Sequence, residues 1–118
     1  MEGQLYYYRA RVVSVYDGDT ITVDIDLGLH MWIREENVRL ARINASEVRG
    51  IDRDQGVAAR DYLRGQLVGK DIILETIKDR EEKYGRYLGE IWLKDETGHF
   101  VNINDLIVQN GHAIYKEY

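Results

Sequence analysis

The sequence predicts an α+β domain that is mainly β-sheet, a five-stranded barrel with one longer helix after the third strand and a short late helix. Two patterns predict it. Apolar and polar residues alternate strictly along residues 20–27, which is the period of a half-buried strand. Along residues 54–68 the apolar spacing changes to three and four, which is the period of a helix packed on one face.

The first three predicted strands form a meander. Residues 8–16 are rich in tyrosine and valine, and Asp17-Gly18 between them and the strand at residues 20–27 is a hairpin turn signal. Gly28 ends the second strand. The third strand is predicted over residues 31–34 and 38–43, interrupted by the charged Glu35-Glu36-Asn37.

A helix and two further strands complete the barrel. The helix at residues 54–68 is expected to stop at Gly69, and residues 72–77 and 87–93 read as strands joined by a charged loop. Three strands, a helix, two strands and a short helix are the element order of the OB fold.

The last part of the chain predicts a turn and a short helix. Asp95-Glu96-Thr97-Gly98 is a turn signal, and Asn104 is expected to cap a helix over residues 105–110 that ends at Gly111. No repeat, linker or low-complexity stretch interrupts the 118 residues. The sequence therefore predicts a single domain over residues 1–118.

Composition excludes several classes of protein. The chain has no cysteine, so disulfide frameworks, thiol redox chemistry and zinc–thiolate sites are excluded. No apolar run approaches the roughly 20 residues of a membrane span, so no membrane partner is expected. The first eleven residues lack the apolar core of a signal peptide, which predicts a cytoplasmic protein, with secretion of a trimmed precursor as the alternative. A net charge of -5 argues against coating nucleic acid by bulk electrostatics.

Three separated segments carry the polar groups that cleavage of a phosphodiester requires: residues 17–20 (DGDT), 38–47 (VRLARINASE) and 83–86 (KYGR). Because phosphate oxygens are negative and repel hydroxide, a catalyst needs cations over the phosphate, a carboxylate for a metal and a second carboxylate to activate water. That set is supplied by Asp19, Arg39, Glu47 and Arg86. Each segment alone is typical of a turn, a strand salt bridge or an exposed hairpin tip, so the hypothesis depends on all three together.

These segments, in this order, resemble the staphylococcal nuclease (thermonuclease) family, and the resemblance extends over residues 8–115. It indicates a short, phage-type or bacterial member. It implies a calcium-dependent nuclease of low sequence specificity that acts on DNA and RNA and leaves 3′-phosphate ends, with another divalent cation as the alternative. Single-stranded DNA or RNA is the expected partner, and a monomer the expected state, with a weak dimer as the alternative.

The resemblance also implies roles for individual residues. Those expected to hold the metal are Asp19, Asn44 and, through its backbone carbonyl, Ala45. Those expected to catalyse the reaction are the phosphate-binding Arg39 and Arg86 and the general base Glu47. Those expected to contact the substrate are Lys83, Tyr84 and Tyr115.

Two positions depart from the family's pattern. Asn44 stands where the family usually has a second metal-binding aspartate, and Ser46 where it usually has proline. Asn44 favours one alternative, a catalytically weak or inactive nucleic-acid-binding OB module. The acidic balance favours another, a structural or interaction protein.

Overall fold

Five strands close into a barrel in the computed structural model, which describes residues 6–45, 53–81 and 86–116. In chain order the elements are β1 (Tyr7–Asp17), β2 (Thr20–Gly28), β3 (Met31–Leu40), β4 (Ile43–Ala45), α1 (Arg53–Leu67), β5 (Asp71–Glu81), β6 (Tyr87–Lys94), β7 (Phe100–Asn102), α2 (Ile103–Gln109) and β8 (Ala113–Tyr115). Six strands pair in the order β3-β2-β1-β5-β6-β7, and β3 also pairs with β6, which closes the barrel. β4 and β8 form a separate two-stranded sheet. The predicted mainly β, OB-type fold is confirmed.

The barrel interior is filled by alternate residues of its strands. On β2, Ile21, Val23 and Ile25 are buried, while the residues between them are only partly covered. Leu63 and Leu67 of α1 are fully buried in the same core cluster. Burial of a side chain of this size contributes about 1.5–3 kcal/mol, so the predicted alternation and the helical apolar face supply much of the stability.

The third strand is continuous, so the predicted interruption at residues 35–37 is wrong. Glu35 has a positive φ of 55°, and its backbone N–H donates to a carboxylate oxygen of Asp24 at 2.9 Å. The pairing of β2 with β3 shifts register between Val23 and Ile25, where β3 carries one residue more than β2. A β-bulge of this kind accommodates an extra residue without ending the strand.

The end of α1 lies where the sequence predicted it, whereas the N-cap of α2 is a different residue from the predicted one. α1 is followed by Gly69, whose φ of 78° is the left-handed conformation of the predicted helix stop. Its N–H donates to the carbonyl of Val12 in β1 at 2.9 Å. α2 is capped by Asn102, whose side chain accepts from the N–H of Asp105 at 2.9 Å. The prediction of Asn104 as the cap is therefore wrong. Among the described residues, no helix is long and apolar enough to cross a membrane.

Asn104 is instead a buried connector between α2 and the barrel. Its side-chain amide donates to the carbonyls of Ala41 and Gly89 at 3.0 and 2.9 Å. Its side-chain oxygen accepts from the N–H of Ile91 at 3.0 Å. The residue is fully buried, and its side chain bonds to three backbone groups, of which the carbonyl of Gly89 also accepts from the N–H of Ala41 at 2.9 Å.

We predict that Asn104→Ala lowers the free energy of unfolding by about 3 kcal/mol or more, because three buried backbone groups lose their side-chain partner. Asn110→Ala serves as the control, since its amide makes one exposed bond to the carbonyl of Leu106. That variant should lose less than about 1 kcal/mol. Urea unfolding of both variants checks the prediction, and equal losses would contradict it.

Candidate active site

The turn between β1 and β2 places Asp19 against α1 and β4. The carboxylate of Asp17 accepts from the N–H of Asp19 at 3.0 Å, which stabilises the turn. A side chain at Gly18 would come within 2.7 Å of the Cβ of Ala59 and 2.8 Å of the Cβ of Ala45. Glycine is therefore required here because the backbone approaches both elements closely.

A buried ion pair joins this turn to the end of β3. A terminal nitrogen of Arg39, Nη2, lies 3.2 Å from Asp19 Oδ2, and each side chain is only 8% exposed. Asp19 Oδ2 also accepts from the N–H of Ala45 at 2.8 Å, and its Oδ1 accepts from the hydroxyl of Thr20 at 3.3 Å. Arg39 Nη1 donates to the carbonyl of Leu40 at 2.9 Å. Such additional bonds offset the cost of removing two charges from water.

Asn44 belongs to the same cluster. Residues alternate along β4, so Ile43 and Ala45 face the core while Asn44 is half-buried. Its side-chain oxygen accepts from Arg39 Nη2 at 3.2 Å, so one guanidinium nitrogen contacts oxygens of both Asn44 and Asp19. The structure thus brings together Asp19, Asn44 and Ala45, the residues that the sequence predicted as metal ligands.

Arg86 reaches the cluster from a different element. It immediately precedes β6, and its Nη1 donates to the hydroxyl of Thr20 at 3.1 Å. The same hydroxyl donates to Asp19. Two arginines therefore approach Asp19, Arg39 directly and Arg86 through one hydroxyl group. The parallel pairing of Arg39 with Leu88 explains their proximity, since Arg86 lies two residues before Leu88.

Of the remaining predicted site residues, the structure describes Tyr115 alone, and its contacts lie outside this cluster. Glu47, Lys83 and Tyr84 lie outside the described residues. Tyr115 pairs with Ile43 across the β4–β8 sheet, and its hydroxyl donates to a carboxylate oxygen of Asp105 in α2 at 2.9 Å. Its ring is exposed, so its hydroxyl is directed to α2 and its ring to solvent.

The oxygens of the cluster match the chemistry of a hard cation. Asp19 supplies a carboxylate and Asn44 an amide oxygen, which are ligand types that calcium prefers, and Ala45 contacts the cluster through its N–H. In the part of the chain that the structure describes, no three His, Cys, Asp or Glu side chains group closely enough to hold a metal. Among the described residues of the cluster, Asp19 thus carries the negative charge. Arg39 carries a positive charge and contacts one oxygen of Asp19 and one of Asn44.

The carboxyl of Asp19 is a weaker acid than that of an ordinary aspartate. Burial, followed by the hydrogen bond with Asp17 and the charge of Asp17, raises the pKa of Asp19 from 3.8 to about 7. The positive charge of Arg39 and the N–H of Ala45 act in the opposite direction. Near neutral pH the carboxyl is therefore divided between its protonated and ionised forms, and only the ionised form is a good ligand for a cation.

A cleft of about 570 Å³ opens beside Thr20 and Arg86. Two further arginines line it, Arg60 and Arg64, both from α1. Neither arginine was predicted as a site residue from the sequence, because charged residues on the polar face of a helix usually face solvent. Their spacing of four was the available signal, since it places both guanidinium groups on one side of the helix.

Comparison with known proteins identifies the family. The family described as staphylococcal nuclease homologue matches residues 37–118, which is more than half of the chain. The chain belongs to the staphylococcal nuclease family. The predicted membership is confirmed, and the matched residues include Arg39, Asn44 and Arg86.

Several relatives of this staphylococcal nuclease homologue are similar over most of its length. A thermonuclease of Staphylococcus hyicus is 29% identical over 111 residues, 92% of this chain and 59% of the relative. A thermonuclease of Staphylococcus intermedius is 33% identical over 88 residues, 72% of this chain and 49% of the relative. Protein ParB of Escherichia coli is 33% identical over 109 residues, 89% of this chain and 55% of the relative. The chain thus spans about half to three fifths of the length of these relatives.

We predict that stability of the metal-free protein falls with rising pH because of Asp19. Folding raises the pKa of this carboxyl, so the folded protein keeps a proton that the unfolded chain releases above about pH 4. The resulting loss of stability grows between pH 3.8 and about 7 and is complete above that window. Asp19→Asn removes the ionisation, so wild type should lose on the order of 2–4 kcal/mol relative to this variant across the window.

Urea unfolding in chelator at a series of pH values measures this difference. Asp95→Asn is the control, because hydrogen bonds from Thr97 and His99 lower the pKa of Asp95. Its difference from wild type should therefore stay flat above about pH 5. Parallel curves for wild type and Asp19→Asn would show that Asp19 titrates as an ordinary carboxylate.

Proposed function

We propose that the protein is a metal-dependent nuclease that hydrolyses phosphodiester bonds of DNA and RNA with low sequence specificity. The observation that carries the proposal is the convergence of Arg39 and Arg86 on the buried carboxylate of Asp19 in a member of the staphylococcal nuclease family. A buried carboxylate beside two guanidinium groups is suited to a phosphate and a cation together.

The two arginines would bind the scissile phosphate. A guanidinium is planar and permanently charged, and its N–H groups match the spacing of phosphate oxygens. Arg39 is held by Asp19, Asn44 and the carbonyl of Leu40, so its charge is positioned before substrate arrives. Such preorganised charge stabilises the additional negative charge of the transition state without a cost of reorganisation.

Asp19, Asn44 and the carbonyl of Ala45 would hold calcium, or another divalent cation, which when bound supplies Lewis-acid polarisation of a phosphate oxygen. Glu47, assigned through the family resemblance, would accept the proton of the attacking water. Water adds to phosphorus, the bond to the 5′ oxygen breaks and that oxygen takes up a proton from solvent, so the products carry a 3′-phosphate and a 5′-hydroxyl. Because these groups contact phosphate rather than base edges, sequence specificity should be low.

A second function is favoured by one contact. Arg39 Nη2 contacts the oxygens of both Asp19 and Asn44, and Asn44 brings no charge of its own to balance a cation. A protein that retains this arrangement with substrate bound would bind nucleic acid and cleave it weakly or not at all.

One assay separates the two functions. Labelled single-stranded DNA is incubated with the protein in calcium and, in parallel, in excess chelator. A nuclease cleaves the DNA in calcium alone, and its products resist extension by a polymerase until a phosphatase removes the 3′-phosphate. A binding module shifts the DNA on a gel and leaves it intact under both conditions. Cleavage that persists in chelator would contradict the proposed metal dependence.

We predict that Arg86→Gln lowers the cleavage rate by about 10² or more, because it removes a cation that stabilises the transition state. Glu47→Gln should lower it by about 10² to 10⁴, the usual contribution of a general base. Arg34→Gln is the control, since Arg34 lies on the ring of Trp32 and pairs with Asp24 at 3.2 Å. It should retain the wild-type rate. Full activity in a folded Arg86→Gln protein would exclude Arg86 from catalysis.

A further inference from the structure

The cleft beside Thr20 and Arg86 contains more positive charge than the scissile phosphate requires. Its lining includes the guanidinium groups of Arg60, Arg64 and Arg86, and no aspartate or glutamate among the described residues. The whole chain carries a net charge of -5. Arg60 and Arg64 share one carboxylate outside the lining, that of Asp61, at 3.2 and 3.9 Å. The cleft therefore keeps more cations than carboxylates, which reverses locally the charge of the molecule and would attract an anion.

The other large cavity has a different balance of charge. It measures about 700 Å³ and lies on the outer face of the sheet. Four cations line it, and so do Asp24, Asp26 and Asp71. Two of the cations are paired with these carboxylates, Arg11 with Asp71 at 2.9 Å and Arg34 with Asp24 at 3.2 Å. The excess of lining cations over lining carboxylates is thus three in the cleft beside the cluster and one in this cavity.

The arginines of α1 are held in place by the structure. Arg64 donates from Nε and Nη2 to the carbonyl of Val15 at 3.3 and 3.2 Å, which fixes its guanidinium at the edge of β1. Arg60 is only 25% exposed and bonds to Asp61 at 3.2 Å, whose own side chain is 57% exposed. A pair with so exposed a carboxylate is weak, so Arg60 can exchange this partner for a phosphate at little cost.

The opposite wall offers neutral groups and one aromatic ring. Tyr16 is 56% exposed at the end of β1. Thr22 donates its hydroxyl hydrogen to the side-chain oxygen of Asn37 at 2.8 Å, and both line the cleft. Such hydroxyl and amide groups contact sugars and phosphates, while an exposed tyrosine ring can stack a base.

We propose that this cleft is a second phosphate site, in which Arg60 and Arg64 bind the backbone of single-stranded nucleic acid next to the scissile phosphate and Tyr16 stacks a base. This inference rests on the proposed function, because the cleft shares Arg86 and Thr20 with the cluster. A volume of about 570 Å³ lies within the range of sites for small organic ligands, so it has room for about one nucleotide. The site would favour a longer strand over a dinucleotide.

Binding is measured first, in chelator, so that the result is independent of cleavage. A fluorescent single strand of about twelve nucleotides, within the range that OB folds cover, is titrated with wild type and with the double variant Arg60→Gln/Arg64→Gln. The double variant should bind about tenfold more weakly, and its dependence of log K on log salt should be shallower by about 1.4, or 0.7 for each lost contact.

The matched control is Arg9→Gln/Lys94→Gln, which removes the same charge from the cavity on the outer face of the sheet. It should bind within about twofold of wild type. Thermal melting establishes that each variant is folded. If the double variant unfolds, Arg60→Gln alone decides, because Arg60 pairs with the exposed carboxylate of Asp61 and its loss should cost little stability. This variant should bind about threefold more weakly.

Cleavage then tests the preference for length. The ratio of kcat/KM for the longer strand to that for a dinucleotide should fall about tenfold in the double variant, through KM rather than kcat. A wild type that binds but never cleaves would contradict the proposed function, while the binding difference would still support the second site. Equal binding by the double variant, the control and wild type would overturn the second site whether or not the protein cleaves.

Discussion

The parallel contact between β3 and β6 is the constraint on which the rest of the structure depends. It consists of Val38 beside Tyr87, Arg39 beside Leu88 and Leu40 beside Gly89, and it converts an open sheet into a barrel. Gly89 permits the close approach, since a Cβ there would come within 2.7 Å of a Leu74 methyl and 3.0 Å of a Val38 methyl. Arg39 lies in this seam and Arg86 directly before it. The pairing that closes the barrel therefore also brings the two arginines close together.

The buried charges of the cluster are poorly compensated within the fold. Asp19 is buried beside Asp17, so its ionised form is disfavoured, although Arg39 lies within 3.2 Å. A buried ion pair seldom stabilises a fold more than apolar residues of the same volume would. The proposed function accounts for this arrangement, since a bound cation and phosphate would balance charges that folding leaves poorly solvated. The carboxylate of Asp19 is meanwhile held by Ala45, Thr20 and Arg39.

Long regular patterns were predictable from the sequence, and local exceptions to them were not. The alternation along β2 and the stop at Gly69 reflect burial and backbone geometry that persist over many residues. The grouping of Asp19, Arg39 and Arg86 could be anticipated from the family resemblance alone, because it depends on barrel closure. The continuity of β3 through a bulge depends on one hydrogen bond to Asp24, which leaves no periodic signal. The strands β4, β7 and β8 have three residues each, too few to show a period.

Two further features could not be predicted from the sequence, because tertiary contacts decide them. Asn102 and Asn104 both precede the apolar run of α2, and only tertiary contacts decide that one caps the helix while the other is buried. Arg60 and Arg64 belong to the polar face of α1, and only its packing against β1 turns that face toward a cleft.

Gly18 shows how closely the packing of α1 constrains the site. The turn that carries Asp19 rests directly on Ala45 and Ala59, so the register between helix and turn is set by three of the smallest residues. A larger side chain at position 59 would therefore displace the turn and its carboxylate even though Ala59 makes no contact of its own with a charged group of the cluster.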